Sequence, residues 1–209
     1  MNFFLHRSPF WLQWLLSDYT WRINTPEKVI YLTFDDGPIP QVTEEVIKTL
    51  DAYQAKATFF CIGDNIRKHP TIFQELKKQG HSIGNHTFNH LNGWKTDTET
   101  YIDNFYRCQD IMETETNLFR PPYGRIRKAQ FERLPSNTRV IMWDVLTGDF
   151  SPKIKPDKAL GKSKLLCRPG TILLLHDSIK AHKSMSYILP GLLDYFSERA
   201  YRFEGLPML

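Results

Sequence analysis

Val29-Ile30-Tyr31-Leu32-Thr33-Phe34-Asp35-Asp36-Gly37-Pro38 is the stretch whose reading decides the fold. An apolar, β-branched run halted by Gly-Pro predicts a short buried strand and a sharp turn. Asp35 and Asp36 then stand at the carboxyl end of that strand. Successive strand residues point to opposite sides, so the two carboxylates are expected to find different partners. Asp-Gly-Pro is also ordinary turn chemistry, in which the aspartates cap the next helix.

Downstream, Pro40 suits the first turn of a helix whose apolar face is Val42, Val46, Ile47, Leu50 and Tyr53. Ala57 to Ile62 reads as a second strand, and Pro70 opens another helix that stops near Gly80. His81 to Gly84 follows as a third strand, and Thr96 with Glu99 forms a capping box for a helix through Tyr101, Phe105, Cys108 and Met112. Asn117 to Arg120, Arg139 to Val145 and Thr171 to Leu175 complete the main strands. A helix over Asp157 to Leu166, another including Leu189 to Phe196 with Pro190 at its first turn or at a kink, and a closing strand at Phe203 fill the rest. Strands alternating with helices imply parallel strands joined by right-handed crossovers, which a β/α barrel and an open doubly wound sheet both satisfy.

The chain has 209 residues, 41% hydrophobic and 13% aromatic, enough for one sizeable core. Its net charge of +4 is mild and its basic residues are scattered, which argues against a nucleic-acid partner. Cys61, Cys108 and Cys167 are far apart and lack Cys-x-x-Cys spacing, against a disulfide framework or a thiolate zinc site. The apolar stretch Pro9 to Leu16 is short and interrupted by Gln13. It reads as a short amphipathic helix packed on the domain, with a degenerate signal or surface anchor as the rival. With neither a clear signal peptide nor a run near the ~18 apolar residues of a membrane span, a cytoplasmic location is favoured.

Polar residues fall where the strands end: Asp35 and Asp36, His86 and His90, Arg120, Asp144 and Asp149, His176. Barrels and doubly wound sheets both place their sites at that edge. His86 and His90, four apart, can share one side of a helical turn or be folded by a loop around one ion, and a carboxylate would complete a set with open positions for water and substrate. Two surface histidines are the plainer alternative.

Thr33-Phe34-Asp35-Asp36-Gly37, His86-Thr87-Phe88-Asn89-His90, Arg120-Pro121-Pro122-Tyr123-Gly124 and Leu174-Leu175-His176 resemble, in order, four motifs of the polysaccharide deacetylase family, carbohydrate esterase family four. The resemblance runs from about Val29 to at least Asp177. It implies a single-domain, distorted and incomplete β/α (TIM-like) barrel over 29–209, with 1–28 as a helical extension packed on it. It also implies a hydrolase acting on carbon–nitrogen bonds other than peptide bonds, which removes acetyl groups from N-acetylglucosamine-containing saccharides. Asp36, His86 and His90 would bind one divalent metal, zinc first, with cobalt or nickel as alternatives. Asp35 would be the base, Arg120 would hold it, His176 would be the acid, and Tyr123 would offer its backbone N–H to the oxyanion. Leu174 would line the acetyl pocket, and Phe150 would wall the methyl group.

The chain departs from the family in one motif. The usual Asp-x-x-Asp-Trp reads Leu146-Thr147-Gly148-Asp149-Phe150. The resemblance assigns tuning of the acid histidine to the first of those aspartates, here Leu146. Asp144, two residues earlier, would share the face of Leu146 if the strand continued, and is the expected substitute. Phe88, Trp94 and Tyr123 are candidates for stacking on sugar rings. The same scaffold would also suit an O-acetyl esterase or a carbohydrate-binding protein without turnover.

Overall fold

The computed structural model describes residues 5–207. In chain order the elements are α1 (Phe10–Leu15), β1 (Val29–Asp35), α2 (Val42–Ala52), β2 (Thr58–Cys61), α3 (Gly63–Lys68), α4 (Pro70–Lys78), β3 (Ser82–Asn85), α5 (Thr98–Met112) and β4 (Leu118–Phe119). Then come α6 (Lys128–Phe131), β5 (Arg139–Val140), β6 (Val145–Leu146), α7 (Pro156–Leu166), β7 (Ile172–His176), α8 (His182–Ser197) and β8 (Arg202–Phe203). β1 is buried at every position, as an apolar strand covered on both faces must be. It pairs in parallel with β2 and β7, and the sheet runs β5-β4-β3-β2-β1-β7-β6, with β8 joining β1 at Val29 and Ile30. The register opposes Asp35 to Phe60 on one side and to His176 on the other. The strand ends that carry the polar residues therefore share one rim. The largest core cluster packs Phe34, Phe59, Leu173 and Leu175 against Val46, Leu50, Leu189 and Leu192 of α2 and α8. Each such side chain taken from water contributes about 1.5–3 kcal/mol.

The barrel is incomplete between β5 and β6, and the N-terminal segment fills the gap. Arg7 bridges Val145, Thr20 bridges Ile141, and Arg22 bridges Thr171. The Leu146 N–H donates to the His6 carbonyl at 2.9 Å, and the Met142 N–H donates to that of Thr20 at 2.8 Å. Residues 5–28 are thus wall as well as extension. Helix α1 is six residues long and packs only through its Leu12 side and the following Leu16, while Phe10, Trp11, Trp14 and Leu15 stay exposed.

Two local expectations are corrected, and a third is narrowed. The strand expected over Arg139 to Val145 is two strands, because the chain leaves β4 after Ile141 and joins β7 at Val145. The α5 N-cap is Asp97, whose carboxylate accepts the Thr100 N–H at 2.9 Å, whereas the Thr96 hydroxyl donates to the Asn92 carbonyl. Pro190 lies in the middle of α8, not in its first turn, because the helix begins at His182, about two turns before the apolar run that signalled it. Helix α3 has no apolar period to announce it, with Ile66 its one large buried side chain.

Gly170 anchors the N-terminal segment: its carbonyl accepts the Ile23 N–H at 2.9 Å, and with φ of +80° a Cβ there would lie 1.9 Å from the Ile23 carbonyl oxygen. Gly170→Ala is expected to destabilise the protein by about 2–4 kcal/mol in urea unfolding. Gly161→Ala, in α7 with open space around it, is expected to stabilise it by about 0.5–1 kcal/mol. Equal effects from the two would show that the segment is not fixed at Gly170.

Candidate active site

The rim gathers the two aspartates and the two histidines because the strand ends where it does. Asp35 is the last residue of β1, and Asp36 turns out of it with φ of 86°, so both carboxylates face one cleft rather than opposite sides. Their partners nevertheless differ. Asp36 Oδ1 lies 3.3 Å from His90 Nε2 and 3.9 Å from His86 Nε2, while Asp35 Oδ2 lies 3.8 Å from His86 Nε2. A loop, not a helical turn, carries the histidines, with Thr87 and His90 at positive φ. Asn104 of α5 pins that loop, its Oδ1 accepting the Asn89 N–H at 2.8 Å. Asn65 of α3 donates to the Asp36 carbonyl at 2.7 Å.

One donor atom from each of Asp36, His86 and His90 falls within 4.8 Å of the others. The His86 Nδ1–H donates to the Arg120 carbonyl at 2.7 Å, which fixes the tautomer and turns the Nε2 lone pair into the cluster. Burial holds the His86 imidazole well below its ordinary pKa, and burial also lowers that of His90 against the pull of Asp36 and Asp35. Two neutral imidazoles and a carboxylate facing a common point fit a divalent ion with open positions.

Arg120 has no exposed surface. Its Nη1 donates at 2.8 Å to both Asp35 Oδ1 and Thr33 Oγ1, its Nε to the Ile141 carbonyl at 3.0 Å, and its Nη2 to that of Met142 at 2.8 Å. Burial pulls the guanidinium's pKa down and the Asp35 contact opposes it. Asp35 is thereby anchored through Oδ1, leaving Oδ2 toward the cleft.

His176 ends β7 beside Asp35, and its carboxylate partner is Asp149. The His176 Nδ1–H donates to Asp149 Oδ1 at 2.9 Å, and its backbone N–H donates to Oδ2 at 2.7 Å. Burial alone would lower the imidazole's pKa, but the Asp149 charge and hydrogen bond outweigh it and raise it to about 9. Asp144 is not the substitute: it is held by Arg7 at 3.2 Å, by Arg168 at 3.7 Å and by the Thr171 hydroxyl at 3.1 Å. The alternation argument fails there because β6 begins only at Val145. Leu146 lines the cleft instead of tuning the histidine.

The cleft holds about 770 Å³. Leu174, Phe150 and Tyr123 line it, joined by Leu146 and by Trp143, which the sequence did not single out. The Phe150 ring stands edge-on to His176 at 5.0 Å, and that of Tyr123 lies 4.6 Å from His90. Phe88 is a core residue with Arg107 over its face, and Trp94, though exposed, is outside the cleft lining. Asp177, buried behind the site, accepts the Gly37 N–H at 3.0 Å and the Thr43 hydroxyl at 2.6 Å. A Cβ at Gly37 would meet it at 2.0 Å, so the turn after Asp36 requires glycine.

The polysaccharide deacetylase family model matches residues 22–136, which takes in the first three motifs and stops short of Asp149 and His176. The chain is 32% identical over 191 residues to a peptidoglycan-N-acetylglucosamine deacetylase of Bacillus cereus, covering 88% of this chain and 89% of that one. It is 34% identical over 177 residues to a chitooligosaccharide deacetylase of Azorhizobium caulinodans, covering 81% and 83%. In three dimensions it resembles a crystal structure of a peptidoglycan N-acetylglucosamine deacetylase in complex with 4-naphthalen-1-yl-N-oxidanyl-benzamide. The TM-score is 0.87 at 27% identity, over 96% of this chain and 95% of the other.

Because the folded His176 binds its proton more tightly than the ordinary pKa of 6.5, its stabilising contribution is full below 6.5 and is lost as pH rises through about 9. NMR titration of the imidazole is expected to give a value near 9, and Asp149→Asn is expected to move it down by at least about one unit. The same shift from Asp144→Asn would reverse the assignment. Arg120→Leu, which strands the Asp35 carboxylate, is expected to cost about 3–5 kcal/mol in urea unfolding, and adding Asp35→Leu to recover much of it. No recovery in the double variant would show that the guanidinium's other bonds carry the loss.

Proposed function

The chain belongs to the polysaccharide deacetylase family, and from that premise we propose that it hydrolyses the acetamide of N-acetylglucosamine-containing saccharides with the residues gathered at this rim. The observation that carries the reading is the pairing of opposite charges on adjacent strands. Asp35 is paired with the Arg120 cation, and His176 is kept protonated by Asp149, at opposed positions of the β1–β7 register. Base and acid thus face one substrate from neighbouring strand ends, one held by a cation and the other by a carboxylate.

Asp36, His86 and His90 would hold one divalent ion, zinc first, with cobalt or nickel as alternatives. When bound it supplies Lewis acidity and lowers the pKa of water from about 15.7 toward 7. Asp35 takes the proton of the attacking water through Oδ2, since Oδ1 is occupied by Arg120. The Tyr123 backbone N–H donates to the oxygen of the tetrahedral intermediate. His176, whose Nδ1–H is held by Asp149, gives its Nε2 proton to the departing amine nitrogen. Leu174, Phe150, Trp143 and Leu146 supply an apolar wall for the acetyl methyl. The altered fourth motif was the one argument for a scaffold without turnover, and the Asp149–His176 pair supports the enzyme reading against it.

Metal-stripped protein is expected to release acetate from N-acetylglucosamine oligomers only after zinc, cobalt or nickel is restored. Asp35→Asn is expected to lower kcat by about 10²–10⁴-fold. His86→Ala and His90→Ala are expected to weaken metal affinity measured by calorimetry. Acetate release that is indifferent to metal and to Asp35→Asn would overturn the assignment, and exclusive turnover of matched O-acetyl sugars would replace the amide with an ester.

A further inference from the structure

Two cations in the cleft take no part in the acetyl chemistry. Arg125 follows the Tyr123 loop, and Lys180 lies four residues beyond His176; both line the cleft. Neither has an ion-pair partner among the described residues. The Arg125 guanidinium stacks on Trp94 at 4.9 Å, and the Lys180 ammonium lies 5.5 Å over the ring of Phe150. Phe150 in turn stands against His176, so Lys180 flanks the wall from which the acid acts. Arg125 lines the cleft two residues after Tyr123, whose ring meets His90. The carboxylates lining the cleft are Asp35 and Asp36, the first engaged by Arg120 and the second by the histidine cluster. Nothing in the lining therefore answers the two cations, and a neutral amino-sugar oligomer would not answer them either.

We propose that Arg125 and Lys180 are specificity residues for a carboxylate carried beside the acetylated sugar, so that the enzyme prefers an anionic amino-sugar glycan to a neutral one. This rests on the deacetylase reading of the same site. A planar guanidinium and a mobile ammonium, each backed by an aromatic ring, are suited to a carboxylate that arrives with a saccharide face. N-acetylmuramic acid and a uronic acid are the two sources that present this chemistry next to N-acetylglucosamine. Both cations are accessible to solvent, so the selection is moderate and salt-dependent.

The test compares kcat/KM for acetate release from a tetrasaccharide alternating N-acetylglucosamine and N-acetylmuramic acid with that from its methyl ester. An N-acetylglucosamine–glucuronic acid oligomer and its ester form the second arm. An acid-over-ester ratio of about fivefold is expected in at least one arm, expressed mainly in KM and shrinking as salt approaches about 1 M. The arm that shows it names the source. Lys180→Glu and Arg125→Glu are expected to bring the ratio to one or below, while Lys162→Glu on the exposed side of α7 keeps it. A ratio of one in wild type for both acids, or a ratio unmoved by both charge reversals, would overturn the proposal. Calorimetric binding of the same pairs to Asp35→Asn needs no turnover. An acid preference seen there and abolished by Lys180→Glu, with no acetate released by wild type, would sink the deacetylase reading and leave charge selection standing.

Discussion

A guanidinium with no exposed surface sits at the centre of this protein, and the shape of the barrel around it follows from the need to satisfy it. An unpaired buried charge costs several kcal/mol, so Arg120 must find acceptors for its N–H groups. It finds them on β1, at Thr33 and Asp35, and on the carbonyls of Ile141 and Met142, with the face of Phe60 at 4.2 Å. The two carbonyls lie in the stretch between β5 and β6, where the ladder is broken. The N-terminal segment occupies that break and pairs with what the ladder leaves open. The Arg120 carbonyl meanwhile fixes the His86 tautomer, so one residue orients both the anchored carboxylate and a member of the candidate metal cluster.

The second organising feature is the contrast between the surroundings of His176 and Asp35. On adjacent strands, two residues of opposed register would share one environment if burial alone governed them. Burial disfavours the charged imidazole of His176, and the Asp149 carboxylate, held by the His176 backbone N–H and ring, reverses that preference. Asp35 is turned instead toward a permanent cation. Asp177 supports the same rim from behind, through Gly37 and Thr43, and burial raises its own carboxyl to about 8. The outer cleft differs from this paired interior, since among the described residues Arg125 and Lys180 lie over aromatic rings and make no ion pair.

Much of this was legible in the sequence because it is local. An apolar run that ends in a polar residue and a turn marks a buried strand and its exit, and Phe34-Asp35, Phe119-Arg120 and Leu175-His176 all have that form. Their convergence then follows from parallel pairing. Asn65 and Asn104 carry no such signal, since an asparagine on a helix is ordinary until the loop it holds is known. Asp144 was misread for a related reason. Its spacing from Leu146 has meaning only on a continuous strand, and β6 begins only at Val145.

The sequence by itself determined which polar residues reach the rim: the places of Asp35, Asp36, His86, His90, Arg120 and His176 at strand ends follow from residue type and period. Only the tertiary structure decided the pairing among them, Asp149 rather than Asp144 for His176, and the use of residues 5–28 as barrel wall. Periodicity is set by a residue's neighbours along the chain. A buried charge is satisfied by whatever donor or acceptor the completed fold brings within about 3 Å, and that choice is made across distances in sequence that no local pattern records.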